Sequence, residues 1–118
     1  MERVNYDALE MDRDGIFLWK GKPFTGVAFE MYPNGQISAE DEMLEGIVNG
    51  FVREWYPSGE RKLERFDKLS ERHSWSREWF RNGILKRETT SADGFRIKET
   101  IWNEEGQIVS TYERPSTS

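Results

Sequence analysis

Residue types that catalyse reactions or bind metal ions are sparse in this chain of 118 residues. It contains no cysteine and a single histidine, His73, so disulfides, thiolate metal sites and cysteine nucleophiles are excluded. No serine lies in a GxSxG context, and the chain has no histidine other than His73 that could activate a serine as a base. His73 falls in a predicted loop between strands, where we expect a solvated side chain. The sequence therefore predicts a non-enzymatic chain with no catalytic residue, no metal site and no cofactor.

Three glutamates recur at intervals of 24 residues and are the remaining candidates for chemistry: Glu30, Glu54 and Glu78. Carboxylates stacked on one sheet could act as general acid and base or bind a cation. They recur with a larger repeat, however, so we interpret them as solvent-facing or salt-bridged side chains. Basic residues of the intervening strands are expected to lie between them: Lys62, Arg65 and Lys86.

The repeat that contains these glutamates ends each time at a glycine. The glycines are Gly35, Gly59, Gly83 and Gly106. The second copy reads Glu54-Trp55-Tyr56-Pro57-Ser58-Gly59, and its Pro-Ser-Gly places a residue of fixed φ ahead of one that tolerates positive φ, which is typical of hairpin turns. Asp12-Arg13-Asp14-Gly15 is too short for a calcium-binding loop and is interpreted as the remnant of an earlier turn.

The residues before each turn follow a period of two, which indicates strands. In residues 27–32, one face would take Val27, Phe29 and Met31 and the other Ala28, Glu30 and Tyr32. A second marker, at Gly46 and Gly94, keeps step with the first. The predicted fold is all-β: tandem β-hairpin repeats forming an elongated antiparallel meander sheet of about eight strands. We predict an N-terminal cap segment at residues 1–19, a four-copy repeat domain at 20–113 with turns near the four glycines, and a flexible tail at 114–118.

In register, the copies would form columns of large side chains on both faces of the sheet. One column is predicted from Met31, Trp55, Trp79 and Trp102, and the other from Tyr32, Tyr56 and Phe80. A single-layer sheet cannot bury both faces, so one column should be partly exposed unless the cap segment or sheet curvature covers it, or two copies of the chain associate. Exposed Trp and Tyr are preferred anchors of protein interfaces.

The phrase Glu54-Trp55-Tyr56-Pro57-Ser58-Gly59-Glu60, together with the intervening Gly-x-x-x-Gly, resembles the variant MORN repeat. More narrowly, residues 15–112 resemble the YwqK-type antitoxin and immunity proteins that are built from this repeat. The resemblance implies a protein that binds and neutralises a cognate bacterial toxin. The alternative that it implies is a MORN-like scaffold or a membrane-proximal interaction module. The chain departs from the pattern at Ser70 and Ser74, where glycines are expected, and in the fourth copy, which lacks its second aromatic residue.

Charge is distributed unevenly and suggests the character of a partner. Residues 1–50 carry four basic and ten acidic side chains, although the whole chain has a net charge of −5. This acidic half disfavours nucleic acid and favours a partner with a basic surface. Two sets of residues are predicted to contact the partner. The acidic set is Glu40, Asp41, Glu42 and Glu45, and the aromatic set is Trp55, Tyr56, Trp75 and Trp79.

Cellular location and membrane association are indicated by composition. The N-terminus carries acidic residues and no apolar run of the kind found in secretory signals. No segment approaches the length of about 18 apolar residues that spans a membrane. The absence of cysteine is typical of a reducing compartment, and the sequence therefore predicts a cytoplasmic protein.

Overall fold

The computed structural model describes residues 1–115, which form twelve strands and one short 3-10 turn at Tyr6–Ala8. The predicted tail at 114–118 lies outside the described residues from 116 onward. The strands are β1 (Arg3–Asn5), β2 (Glu10–Met11), β3 (Phe17–Trp19), β4 (Lys22–Pro23), β5 (Gly26–Met31), β6 (Ile37–Leu44), β7 (Ile47–Trp55), β8 (Arg61–Asp67), β9 (His73–Trp79), β10 (Leu85–Ala92), β11 (Phe95–Trp102) and β12 (Ile108–Glu113).

Nine of these strands form one sheet in the order β1-β5-β6-β7-β8-β9-β10-β11-β12. Strands β5 to β12 are each antiparallel to the next along the chain, which confirms the predicted all-β meander. Strand β1 adds to the edge of β5 and runs parallel to it, which the repeat did not predict. Strands β2, β3 and β4 form a separate three-stranded sheet.

The glycines of the repeat close hairpin turns, as predicted, and these turns all lie at the same end of the strands of the main sheet. In each turn the glycine N–H donates to the carbonyl three residues earlier; in the first, Gly35 donates to Tyr32 at 3.0 Å. The remnant at residues 12–15 has the same bond, from Gly15 to Asp12 at 3.1 Å. A register shift accompanies each of the four repeat turns, so each of these hairpins carries a β-bulge beside its turn.

The second marker corresponds to turns at the opposite end of the strands. Asp93 and Gly94 have φ of 53° and 81°, and Glu45 and Gly46 have φ of 51° and 81°. Two consecutive residues of positive φ are typical of the two-residue type I′ hairpin turn. The connection at residues 68–72, where Ser70 replaces glycine, is longer and turns through a bond from the Glu71 N–H to the Lys68 carbonyl.

The core lies beneath the N-terminal half of the main sheet. Val4, Phe24, Ala28 and Met43 form a buried cluster, with Phe24 and Met43 each 2% exposed. Partly buried side chains of the N-terminal segment pack against this cluster: Tyr6, Leu9, Phe17 and Trp19. The segment that covers the sheet therefore extends from the 3-10 turn through β4. We call residues 6–24 the cap and the side of the main sheet beneath it the capped face. These bounds differ from the predicted cap segment at 1–19, because β1 belongs to the main sheet and β4 and Phe24 belong to the covering segment.

No helix among residues 1–115 has the length and apolar character required to span a membrane.

Candidate functional site

The side of the main sheet opposite the cap is not covered by any described segment, and we call it the open face. On β7, Val52 is 7% exposed beneath the cap. Because successive side chains of a strand alternate between faces, Phe51, Arg53 and Trp55 project from the open face. Strand register extends this assignment across the sheet, since residues directly paired on neighbouring strands share a face.

A row of alternating charges crosses the middle of the open face. Five consecutively paired residues on neighbouring strands form it: Glu40, Arg53, Glu64, Arg77 and Glu88. The Nε atom of Arg77 lies 2.7 Å from Oε2 of Glu88, and Arg3 forms an ion pair with Glu40. Opposite charges directly across a strand pair stabilise a sheet by about 0.2–1 kcal/mol. The row is therefore neutralised within the chain.

An aromatic row lies beside the charged row, on the side away from the repeat turns. The ring centroids of Phe51 and Phe66 are 5.0 Å apart, and those of Phe66 and Trp75 are 6.4 Å apart. The guanidinium of Arg53 lies 4.3 Å from the Phe51 ring centroid, and that of Arg77 lies 4.7 Å from the Trp75 centroid. The two rows are thus joined by cation–π contacts. All three rings remain partly exposed.

A second apolar row runs along the turn side of the charged row. It contains Trp55 and Trp79, which share a face as the predicted first column requires, although their rings are not direct neighbours. Trp55 and Trp79 are on strands separated by β8, and two strand spacings of about 4.8 Å keep their rings apart. Arg61 is paired with Trp55 and places its guanidinium 4.4 Å from the Trp79 ring centroid. Trp79 is buried, at 8% exposure. A shallow cavity of about 300 Å³ is lined in part by Ile37, Glu40 and Trp55.

The tyrosines of the predicted second column connect successive turns. The Tyr32 hydroxyl donates to the Trp55 carbonyl at 2.7 Å, and the Tyr56 hydroxyl donates to the Trp79 carbonyl at 2.6 Å. Phe80, in the third copy, has no hydroxyl for the equivalent bond. There the side-chain amide of Asn82 links the turns by donating to the Glu104 carbonyl at 3.0 Å. These residues, including Tyr56 of the predicted aromatic set, therefore link neighbouring repeat turns at that end of the sheet.

The acidic set does not form one surface, because neighbouring residues of β6 project from opposite faces. Glu40 lies on the open face, where it is paired with Arg3. Asp41 lies on the capped face and accepts a hydrogen bond from the Tyr6 hydroxyl. Glu42 Oε1 accepts the Phe51 N–H at 3.1 Å. Glu45 has positive φ and its N–H donates to Thr25 Oγ1 at 2.9 Å in a turn.

The bond between Tyr6 and Asp41 anchors the cap to the sheet. Burial raises the pKa of the Tyr6 phenol well above its usual range. The hydrogen bond to Asp41 and the negative charges of Asp41 and Glu30 raise it further. The neutral phenol is therefore strongly favoured in the folded protein.

The recurring glutamates are not interleaved with the basic residues predicted for them. From the strand register, the residues between and beside Glu30, Glu54 and Glu78 are Ala39, Leu63 and Arg87. The bulges beside the turns shift the pairing by one residue, so Lys62 and Lys86 fall out of this row, and Arg65 pairs with Val52 instead. Among residues 1–115, no three His, Asp or Glu side chains are grouped as ligands of a metal ion would be. His73 is exposed at the start of β9.

Three of the four predicted aromatic contacts, Trp55, Trp75 and Trp79, project from the open face. Phe66 and the charged row were not predicted, although period-two alternation in β8 puts Phe66 and Glu64 on the same face. The repeat relates each copy to the next and does not specify how a copy pairs with the return strand between them, so the pairing register was not evident from the sequence.

Comparison with known proteins adds no family to this description. No protein-family model matches the chain, and neither a curated protein nor a solved structure shows significant similarity to it.

Proposed function

We propose that this chain is a non-catalytic binding protein that docks a folded protein partner on its open face and neutralises it. The observation that carries the proposal is the composition of this face. Trp, Phe and Arg side chains lie there in two apolar rows on either side of a charged row, and no described segment covers them. These are the residue types that dominate binding energy at protein interfaces.

The partner that we propose is a bacterial toxin domain, in keeping with the resemblance to immunity proteins. Charge supports a basic partner. The exposed acidic residues of the N-terminal half include Glu2, Asp7, Glu10 and Asp14, on or beside the cap. Because the charged row of the open face is internally neutralised, this acidity would act by steering the encounter, whereas the aromatic rows would supply the contact. The absence of cysteine supports a reducing, cytoplasmic setting.

Co-expression with the product of a neighbouring toxin-like gene tests the proposal. The wild-type chain should restore growth and co-purify with the toxin. Trp75→Ala and Arg77→Ala, on the open face, should weaken both effects. Arg65→Ala is the matched control because Arg65 is an exposed arginine on the strand next to that of Arg77, projecting from the other face.

Three outcomes would contradict the proposal. Absence of both binding and rescue by the wild-type chain would exclude toxin neutralisation. Loss of binding in Arg65→Ala, but not in Trp75→Ala or Arg77→Ala, would place the contact on the other face. Salt-sensitive sedimentation with anionic vesicles, without toxin binding, would instead favour the membrane-proximal scaffold.

A further inference from the structure

Strand β12 (Ile108–Glu113) is the last strand of the main sheet, and no described strand pairs with its outer side. The Arg114 N–H donates to the Ile97 carbonyl at 2.7 Å. Backbone groups of an antiparallel strand point alternately toward and away from the neighbouring strand. Thr111 and Glu113 therefore direct their N–H and C=O groups outward, where another strand could pair with them.

This edge lacks the features that usually prevent strand addition. Exposed edge strands are commonly protected by charged side chains, proline or extreme shortness. Between residues 108 and 112 there is no charged residue and no proline, and Ile108 and Val109 are 61% and 59% exposed. The bulge of this hairpin lies near Ile108 and leaves residues 110–113 in regular register. At the other edge, β1 has only three residues.

Cation–π contacts help to hold the C-terminal end of β12 against β11. The Arg96 guanidinium lies 3.7 Å from the Tyr112 ring centroid, and that of Arg114 lies 4.6 Å from the Phe95 centroid. These side-chain contacts add to the backbone pairing between β11 and β12. An edge that is ordered before binding loses less conformational entropy when a second strand is added.

We propose that β12 pairs antiparallel with β12 of a second copy of this chain, forming a two-fold dimer with one continuous sheet. Charge favours this occupant. If the two-fold axis passes through residue 110, 111 or 112, the residue of the second copy that lies opposite Glu113 is Gln107, Val109 or Thr111, respectively. None of these residues is acidic, so the pairing brings no two carboxylates together. Parallel pairing in register would instead place Glu113 beside Glu113 of the second copy. The two-fold arrangement pairs the exposed edge of β12 in one copy with that of β12 in the other, so neither β12 edge is left free and assembly stops at the dimer.

The contact is small, because it consists of one short strand pair and the side chains beside it. Interfaces of this size are typical of weak association. We therefore expect a dimer whose population rises with concentration in the micromolar range, and this expectation does not depend on the proposed toxin partner.

Sedimentation velocity over a concentration series tests the proposal, with thermal unfolding as the check on folding. Thr111→Pro removes one outward N–H, and Thr111→Lys introduces the kind of charge that protects natural edges. Each should raise the dimer dissociation constant by about tenfold or more, as loss of roughly 1.4 kcal/mol would. Thr90→Lys is the matched control because Thr90 is an exposed threonine of interior strand β10, and it should dimerise as the wild type does.

Spin labels provide a second measurement, since the chain has no cysteine of its own. A label on Ser110→Cys should give a short distance between copies, and a label on Ser58→Cys, in a repeat turn, should not. A wild-type chain that is monomeric at every concentration would overturn the proposal. Unchanged dimerisation in both Thr111 variants, or a long distance between labels at position 110, would also overturn it.

Discussion

The N-terminal and C-terminal halves of the main sheet are built from the same hairpin repeat but are stabilised differently. Where the cap packs against β5–β7, its own Phe24 and the sheet residues Ala28 and Met43 are buried to 2% exposure or less. Beyond β8 no described segment covers either face, and strand β12 retains Ile108 and Val109 largely exposed. One repeat can therefore support both a two-layer core and a single-layer sheet, and the difference depends on where the cap lies.

The C-terminal half lacks the cap and depends mainly on contacts between neighbouring strands, although Trp79 and Ala92 are buried within it. Tyr56 and Asn82 link successive turns, and Arg77 contacts both Trp75 on its own strand and Glu88 on β10. Each such contact contributes at most about 1 kcal/mol. Many are needed, which is consistent with the stability of repeat proteins arising from nearest-neighbour interfaces.

Truncation of a phenylalanine should show the largest difference between the two halves. Phe24→Ala should lower the free energy of unfolding by about 3–5 kcal/mol, because Phe24 is fully buried in the core. Phe95→Ala should cost about 0.5–1 kcal/mol, since Phe95 is 59% exposed and loses mainly its contact with Arg114. Urea denaturation of both variants measures the difference, and equal losses would show that the cap does not provide the principal core.

A pair of glycines tests the position of the cap. Gly46 and Gly94 both have φ of 81° at the same place in a type I′ turn. A Cβ on Gly46 would lie 2.3 Å from Ile16 Cγ2 and 2.6 Å from the Phe17 carbonyl oxygen, whereas nothing lies within 4 Å of a Cβ on Gly94.

Both alanine substitutions incur the cost of positive φ, about 1–2 kcal/mol. Gly46→Ala should cost a further 1–3 kcal/mol, roughly, because the cap must shift to accommodate the methyl group. Comparison of chemical denaturation midpoints measures the difference. Identical midpoints for the two variants would show that the cap is not docked at this turn.

Loss of a tyrosine hydrogen bond between turns in the C-terminal half should have a smaller effect on stability. Tyr56→Phe removes the bond to the Trp79 carbonyl and should cost about 1 kcal/mol. Phe80→Tyr supplies the hydroxyl that the third copy lacks and should stabilise the chain by up to about 1 kcal/mol. Thermal unfolding of the two variants and their combination measures both effects. A Phe80→Tyr variant less stable than the wild type would contradict the proposed role of the tyrosines.

The smallest effect is expected from the titration of Tyr6, which is only half-buried. Its raised pKa means that the folded state favours the neutral phenol. Its contribution to stability is therefore constant below about pH 10, the ordinary pKa of tyrosine, and decreases as the pH rises above that value. Tyr6→Phe should make the free energy of unfolding less dependent on pH between about pH 9 and 11. Identical slopes for variant and wild type would contradict this assignment.

Much of the fold could be predicted because its signals are local. Gly35, Gly59 and Gly83 marked the turns, and alternation in the preceding residues marked strands, since both depend on the conformational preferences of short segments. The parallel addition of β1 could not be predicted. Residues 3–5 carry no copy of the repeat, and their position depends on contacts with Val27 and Ala28 far along the chain.

The candidate site was predicted less completely for the same reason. Trp55, Trp75 and Trp79 were identified from their spacing, and the structure places all three on the open face. The predicted acidic set is divided between the two faces of the sheet, because Glu40 and Asp41 project from opposite sides of one strand. Their partners, Arg3 and Tyr6, are more than 30 residues away in the sequence.

The sequence by itself determined the repeat, the turns and the alternation of side chains, because hairpins are specified by residues close together in the chain. Tertiary structure alone decided which face is capped, which charges are neutralised and which strand remains at the edge. These properties depend on the pairing register between strands and on the docking of residues 6–24. A bulge of one residue is sufficient to change that register, as the row between Glu54 and Glu78 shows.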